Sequence, residues 1–572
     1  MSFPAMPSTV DEINPREWET FRPYFEELQQ RPLSQEGMRR WLEDWSKLSE
    51  LIWEAGAMIY IEKSLDTTDA EREQAFLDFI DQVQPKAQVA DQALKERLLA
   101  NEAAVNGMSD MKLVLRNIRN ETDLFRENNI PLLTELAKLD NEYDKATGGL
   151  KADWDGEEKN LSQLTLFLRE KDRAVRTRAW KTIMALWLEK RETLNKIYAN
   201  MLALRRQVAA NAGLPNYRAY AFRDKGRFDY TPEDCFTFHD AIEKVVVPAA
   251  LRIYDKKRTR LHLDALRPWD VEVDASDAPP LQPYQKQEQL ITGAQRMFKN
   301  VDPELGSHFS VMAAEKLLDL DTRQGKALGG YCSTLPLRKR PFIFMNGVGI
   351  HDNVQTLLHE AGHAFHVFET ASLPLVWHLD APMEFCEVAS MAMELLAAPY
   401  LTRDQGGFYT ESEAARARIE HLEGIILFLP YMAVVDAFQH WVYTHADEAM
   451  DAANCDAAWD KLWARFMPGV SWEGYEDSRM TGWHRKPHIF GSPFYYIEYG
   501  MAQVGALQVW RNSLKDQASA LAAYRRALSL GGTRTLPELF AAAGAEFRFD
   551  SEMLTDLVAL VEKAVDELET VT

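Results

Sequence analysis

Apolar residues recur with a helical period along most of the chain. Within about residues 15 to 145, Trp41, Trp45, Leu48 and Ile52 mark one such stripe behind Ser34, a candidate N-cap. That stripe reads as core. Asn141 to Asn160 breaks the pattern with Gly, Asp and Asn, as a hairpin or loop. Helical spacing resumes from Leu161 to Ala212 and stops at Gly213-Leu214-Pro215. A second loop, Leu266 to Tyr284, holds four prolines. Gly325 to Gly349 is the one region with a strand pattern. There Gly329-Gly330 leads into Tyr331 to Leu335, a basic turn follows, and Pro341 to Met345 reads as a second strand. Past residue 400 the chain is helical again. Its longest apolar run, Ile425 to Val435, reads as a buried helix kinked at Pro430 and is too short to span a bilayer. No repeat period is evident. The prediction is a mainly α protein with a small β element and a coarse boundary near residue 215.

Directly after the strand pair comes Asn353 to Glu369, a proline-free run with apolar Leu357, Leu358, Phe365 and Val367, which predicts a helix. It contains His359-Glu360-Ala361-Gly362-His363. Residues four apart share a helix face, so His359 and His363 present their imidazoles side by side, as two corners of a tetrahedral zinc site. Glu360, displaced around the helix, can take a proton from water without being a ligand. A catalytic zinc site needs a third protein ligand and one open position. The next acidic cluster is Met383 to Glu394, where Glu384, Glu387 and Glu394 fall on one side of an apolar-rich helix. Carboxylates there are costly to bury unless paired or metal-bound. Glu387 is the candidate ligand and Glu394 the candidate carboxylate that orients an imidazole. The competing reading makes all three solvated salt-bridge partners.

The stretches HEAGHAFH and EFCEVASMAMELL resemble the thimet oligopeptidase and oligoendopeptidase F family of zinc peptidases. The resemblance implies one zinc per chain on His359, His363 and Glu387, with Glu360 as base and Glu394 at the family's second acidic position. It also implies a mostly α, two-lobed ellipsoid split by a deep channel, with the small sheet beside the zinc helix. On that reading residues 1–215 form an N-terminal helical lobe and 216–572 a catalytic lobe, the two interleaved. Ala389 stands where several relatives carry proline. The RPWD stretch near Arg267 and LGGTRTLPELFAAAG near the C-terminus are similar to the oligoendopeptidase F branch.

The strand pair has a use beside such a helix. Its edge, entered through Gly329, Gly330 and Tyr331, can pair with an extended peptide by main-chain hydrogen bonds. An ordinary structural hairpin is the alternative. Further on, Gly491-Ser492-Pro493 precedes Tyr495, Tyr496 and Tyr499. Phenols and an imidazole can stabilise an oxyanion, although three close tyrosines also suit an interface or a core. The resemblance matches His488, Gly491, Tyr496 and Tyr499 to the family's histidine, glycine loop and Tyr-x-x-Tyr pair. The spacing is one residue shorter than in thimet-type relatives, so His484 against His488 and Tyr495 against Tyr496 stay open. Tyr495 is a further candidate for holding the peptide.

A net charge of −22 argues against nucleic acid or an anionic membrane as partner. Short peptides are the expected partners. The oligomeric state, monomer or dimer, is not legible. The first residues lack the basic and apolar regions of a secretory leader, and Cys235, Cys332, Cys386 and Cys455 lack CxxC spacing and read as buried thiols. The expected compartment is the cytoplasm. Two other activities compete with an oligopeptide endopeptidase: a dipeptidyl carboxypeptidase on the same scaffold, and a silent peptide-binding protein.

Overall fold

The structure is a computed structural model that describes residues 5–105, 107–276 and 278–571. It is 71% helical, with two small sheets. Five strands are present among the described residues: β1 (Lys151–Trp154), β2 (Glu157–Asn160), β3 (Leu318–Asp321), β4 (Tyr331–Leu335) and β5 (Arg340–Gly347).

β1 and β2 form an antiparallel hairpin within the stretch expected as a hairpin or loop, after a helix that runs on to Gly148. Asp155 and Gly156 turn the chain there with φ of 57° and 87°, the signature of a type I′ hairpin turn. β4 and β5 fall where the strand pattern predicts. β3 was not anticipated: it pairs parallel to β5, so the three-stranded order is β3-β5-β4. Four residues with Leu318 and Leu320 alternating are too short a signal to separate from a helix end. The order leaves the outer edge of β4 without a strand partner among the described residues.

β5 leads directly into the motif helix, His351–Thr370. Asn353 ties this junction, because its side-chain oxygen accepts from the backbone N–H groups of Val348 and Ile350. One face of the helix buries Val354, Leu357, Leu358, Ala361 and Phe365. It packs on β5 and on the glutamate helix, Met383–Ala397, which packs in turn on the tyrosine helix, Tyr496–Ser513. All three belong to one large apolar core. Trp41, Trp45 and Leu48 belong to a second, N-terminal cluster, fully buried as their spacing predicts.

Gly362 sets how closely the motif and glutamate helices approach. A Cβ at this position would lie 2.5 Å from Ser390 Cα and 2.6 Å from the Ala389 carbonyl oxygen. Backbone cannot yield as a side chain does, so Gly362→Ala is expected to force the helices apart at a cost of about 1–3 kcal/mol. A thermal melt checks this; an unchanged Tm would mean that the contact has slack.

The long helix, Glu411–Thr444, runs without interruption through Pro430. By length and composition alone it could cross a membrane, but 61% of its most apolar window is buried inside the fold. It is packed against the tyrosine helix and the C-terminal helix, Ser551–Glu569.

Candidate active site

The motif and glutamate helices bring three donor atoms to one point. His359 Nε2 is 3.3 Å and His363 Nε2 3.6 Å from Glu387 Oε2. The two rings stand almost perpendicular, with centroids 5.0 Å apart. Donors bound at 2.0–2.2 Å to a tetrahedral ion sit roughly 3.3–3.6 Å from one another. The residues present therefore fit a metal ion.

The electrostatics ask for positive charge at the same point. Burial works against a charged His359, yet Glu387 and Glu394 beside its ring raise its pKa well above the ordinary value. Burial would likewise raise Glu387, but His363, His359 and the Tyr495 hydroxyl hold it down at about 2. A dication satisfies both demands. His363, disfavoured as a cation chiefly by burial, falls to about 4 although Glu387 beside it works the other way.

Outer contacts fix the ligands. Glu394 Oε1 lies 2.8 Å from His359 Nδ1, which leaves Nε2 for the metal. The other oxygen of Glu394 lies 2.8 Å from His421 Nε2, on the long helix. Tyr495 donates to Glu387 Oε1 at 2.6 Å, and Ser390 donates to Glu387 Oε2 at 3.1 Å. Glu384 does not join them: it accepts from Tyr230 at 2.5 Å and faces Arg227 at 3.8 Å. Although a spacing of three puts it on the side of Glu387, its carboxylate is taken up by these partners from outside the helix.

A channel of about 1520 Å³ opens onto the centre. His359, Glu360, Glu394, His488, Tyr496 and Tyr499 are among the residues that line it. Burial pushes Glu360 up to about 7, with Glu387 and Glu394 adding to the rise. His488 Nε2 sits 3.3 Å from the Tyr499 hydroxyl. Burial lowers His488 to about 4, so it is neutral, and raises Tyr496 and Tyr499 far enough to keep both phenols protonated. They are hydrogen-bond donors facing the channel.

The two open pairs are thus sorted by position. His484 is turned away, its Nε2 2.7 Å from Asn195 Oδ1, while His488 faces the channel. Tyr495 is committed to Glu387, while Tyr496 faces the channel. Gly329, Gly330 and Tyr331 are not among the lining residues; Tyr331 stacks on Phe344 with centroids 4.8 Å apart, and Gly330 abuts Thr356 of the motif helix, which does line the channel. Gly491 packs against Asp140, whose carboxylate would lie 2.4 Å from a Cβ there. Two contributors escaped the sequence reading, and a third, Tyr495, was expected on the peptide rather than on Glu387. His421 comes from a distant helix with no metal spacing, Ser390 looks like an ordinary helix residue, and the hydroxyl of Tyr495 reaches Glu387 only through tertiary packing.

The sequence model of Peptidase family M3 matches residues 166–558, and that of the Peptidase M3 N-terminal domain matches residues 12–106. The chain belongs to peptidase family M3. M3 peptidases are metallopeptidases, which agrees with the donor geometry above. The Oligoendopeptidase F homolog of Mycoplasma pneumoniae is 26% identical over 403 residues, covering 66% of this chain and 62% of that protein. Oligopeptidase PepF of Bacillus subtilis is 24% identical over 289 residues, covering 48% of this chain and 40% of that protein. The matched stretches thus span 62% and 40% of these curated relatives. A solved structure described as PZ peptidase A with inhibitor 2 superposes with a TM-score of 0.91 at 27% identity, covering 97% of this chain and 98% of that one. The resemblance read from the HEAGH and EFCEVAS stretches is borne out at the level of the family and the fold.

Within this M3 site, Glu394→Gln is expected to weaken metal binding by roughly 10–100-fold, because Glu394 holds the ring of His359. Metal titration of the stripped protein reads this directly. Unchanged affinity would leave Glu394 with no part in orienting the ligand.

Proposed function

We propose that the chain is a zinc endopeptidase that cleaves internal bonds of short oligopeptides. The observation that carries this reading is the convergence of His359, His363 and Glu387 beside Glu360, at the wall of a channel large enough for an extended peptide. Two imidazoles and a carboxylate are the donor set of hydrolytic zinc, with a fourth position left open. When bound there, zinc supplies Lewis acidity, which polarises a carbonyl and lowers the pKa of water from about 15.7 towards about 7.

Glu360 takes the proton of the attacking water and later delivers it to the departing amine. Its raised pKa suits both halves of that task. Tyr499 and His488, neutral and protonated where it matters, donate to the oxyanion, and Tyr496 lies beside them. Glu394 and Tyr495 keep His359 and Glu387 in place.

A dipeptidyl carboxypeptidase would need a cation free to hold a terminal carboxylate. The Lys and Arg side chains lining the channel are already engaged among the described residues. Arg169 pairs with Glu420, Lys256 and Arg260 with Glu569, and Arg416 with Asp274. Lys171 donates to the carbonyls of Asp274 and Ser276, and Lys257 to that of Val271. The silent binding protein is disfavoured by a complete ligand set with its base.

An internally quenched peptide of about ten residues, blocked at both ends, tests the proposal with and without a zinc chelator. Internal cleavage that the chelator stops is the expected result. Removal of C-terminal dipeptides from an unblocked peptide only, or no turnover by zinc-loaded protein, would overturn it.

A further inference from the structure

Outside the channel, two helices bring together a second set of metal-binding side chains. Helix Pro232–Ala241 carries Cys235 and His239, and the long helix carries Asp436 and His440. Each pair is four residues apart and so lies on one face of its helix. All four residues are at most 2% exposed. A ligand atom from each of Cys235, Asp436 and His440 lies within 4.8 Å of the others. His239 Nε2 is 2.9 Å from Asp436 Oδ2, and His440 Nε2 is 3.2 Å from the same oxygen.

Hydrogen bonds do not account for this cluster. Despite the short separations, both Nε2 atoms and both Asp436 oxygens lack a hydrogen-bond partner among the described residues. Aromatic rings wall the site: His440 has Phe236 at 4.7 Å and Phe494 at 5.1 Å, and His239 has Phe466 at 6.2 Å, centroid to centroid. Arg218 approaches only the far side of His440, at 3.4 Å from Nδ1. Two imidazoles set against one carboxylate without a well-formed hydrogen bond, in an apolar shell beside a thiol, leave lone pairs that a metal ion can take.

We propose that Cys235, Asp436 and His440 bind a second zinc ion that pins helix Pro232–Ala241 to the long helix, with His239 held against the carboxylate of Asp436. A thiolate, a carboxylate and an imidazole make a three-donor set, buried away from the channel. Sulfur and nitrogen donors select zinc over magnesium or calcium. On binding, the ion enters and the thiol proton leaves to solvent, so thiolate and carboxylate together neutralise the dication. The clamp has a functional consequence, since the long helix also carries His421, the partner of Glu394. The inference stands apart from the peptidase proposal and does not need it.

Zinc content after dialysis against a weak chelator is the first test, measured by mass spectrometry. Expected are two ions per chain in the parent, one in H359A/H363A, and none when C235S is added to that pair. Cobalt gives a second readout. The parent loaded with Co2+ should show a near-ultraviolet thiolate-to-cobalt band, which His359, His363 and Glu387 cannot supply because they hold no sulfur. The band should vanish in C235S and persist in C332S. A parent with one zinc and no such band, or a band that survives C235S, would overturn the proposal. The parent spectrum decides even where a variant fails to fold.

Discussion

Glu360→Gln is expected to lower kcat by roughly 10²–10⁴-fold while zinc content stays that of the parent. The amide keeps the shape of the carboxylate but cannot accept the proton of the attacking water. Glu360 is not among the three converging donors, so its neutralisation leaves the ligand set intact. Comparable turnover in a zinc-replete mutant would sink the base assignment. The same group sets a pH dependence. A carboxyl raised from 4.5 to about 7 by burial is protonated, and useless as a base, at acidic pH. A dication on His359 and His363 draws it back down. The acidic limb of kcat/KM is therefore expected between those two values, with activity rising as Glu360 loses its proton. A rate profile flat from the ordinary carboxylate range to neutrality would contradict this.

Tyr499→Phe is the second large effect, with kcat expected to fall roughly 10²–10³-fold, the cost of one oxyanion donor. KM should change little, because the donor acts on charge that develops only in the transition state. Tyr495→Phe is the informative contrast. Its hydroxyl is on Glu387 rather than in the channel, so its removal should weaken zinc binding by roughly 10–100-fold and restore activity when zinc is added in excess. Steady-state kinetics against free zinc separates the two variants. If Tyr499→Phe stays within about threefold of the parent kcat, the oxyanion role passes to His488 or Tyr496.

What was legible in the chain follows from how local each signal is. A helix face is a property of spacing, so His359 and His363 were paired by position alone, and Trp41 and Trp45 were assigned to core. β4 and β5 were legible because β-branched and aromatic residues lie between Gly and basic turn residues. Glu384 was misplaced for the reverse reason. Spacing put it on the side of Glu387, but Tyr230 and Arg227 supply partners that no local pattern reveals.

The sequence by itself determined the fold class, the two imidazoles, and the identity of the carboxylates that could serve them. Each depends on residues within one helix or its neighbour, where geometry is periodic. Tertiary structure alone decided the rest. It chose His488 over His484 for the channel and committed Tyr495 to Glu387. It brought His421 to Glu394 and joined Cys235 to Asp436 and His440 across about 200 residues of chain. Contacts between helices far apart in sequence depend on packing angles and on single close approaches such as Gly362 against Ser390. Those are fixed only when the whole core closes, because no side chain in a helix knows which neighbour will face it.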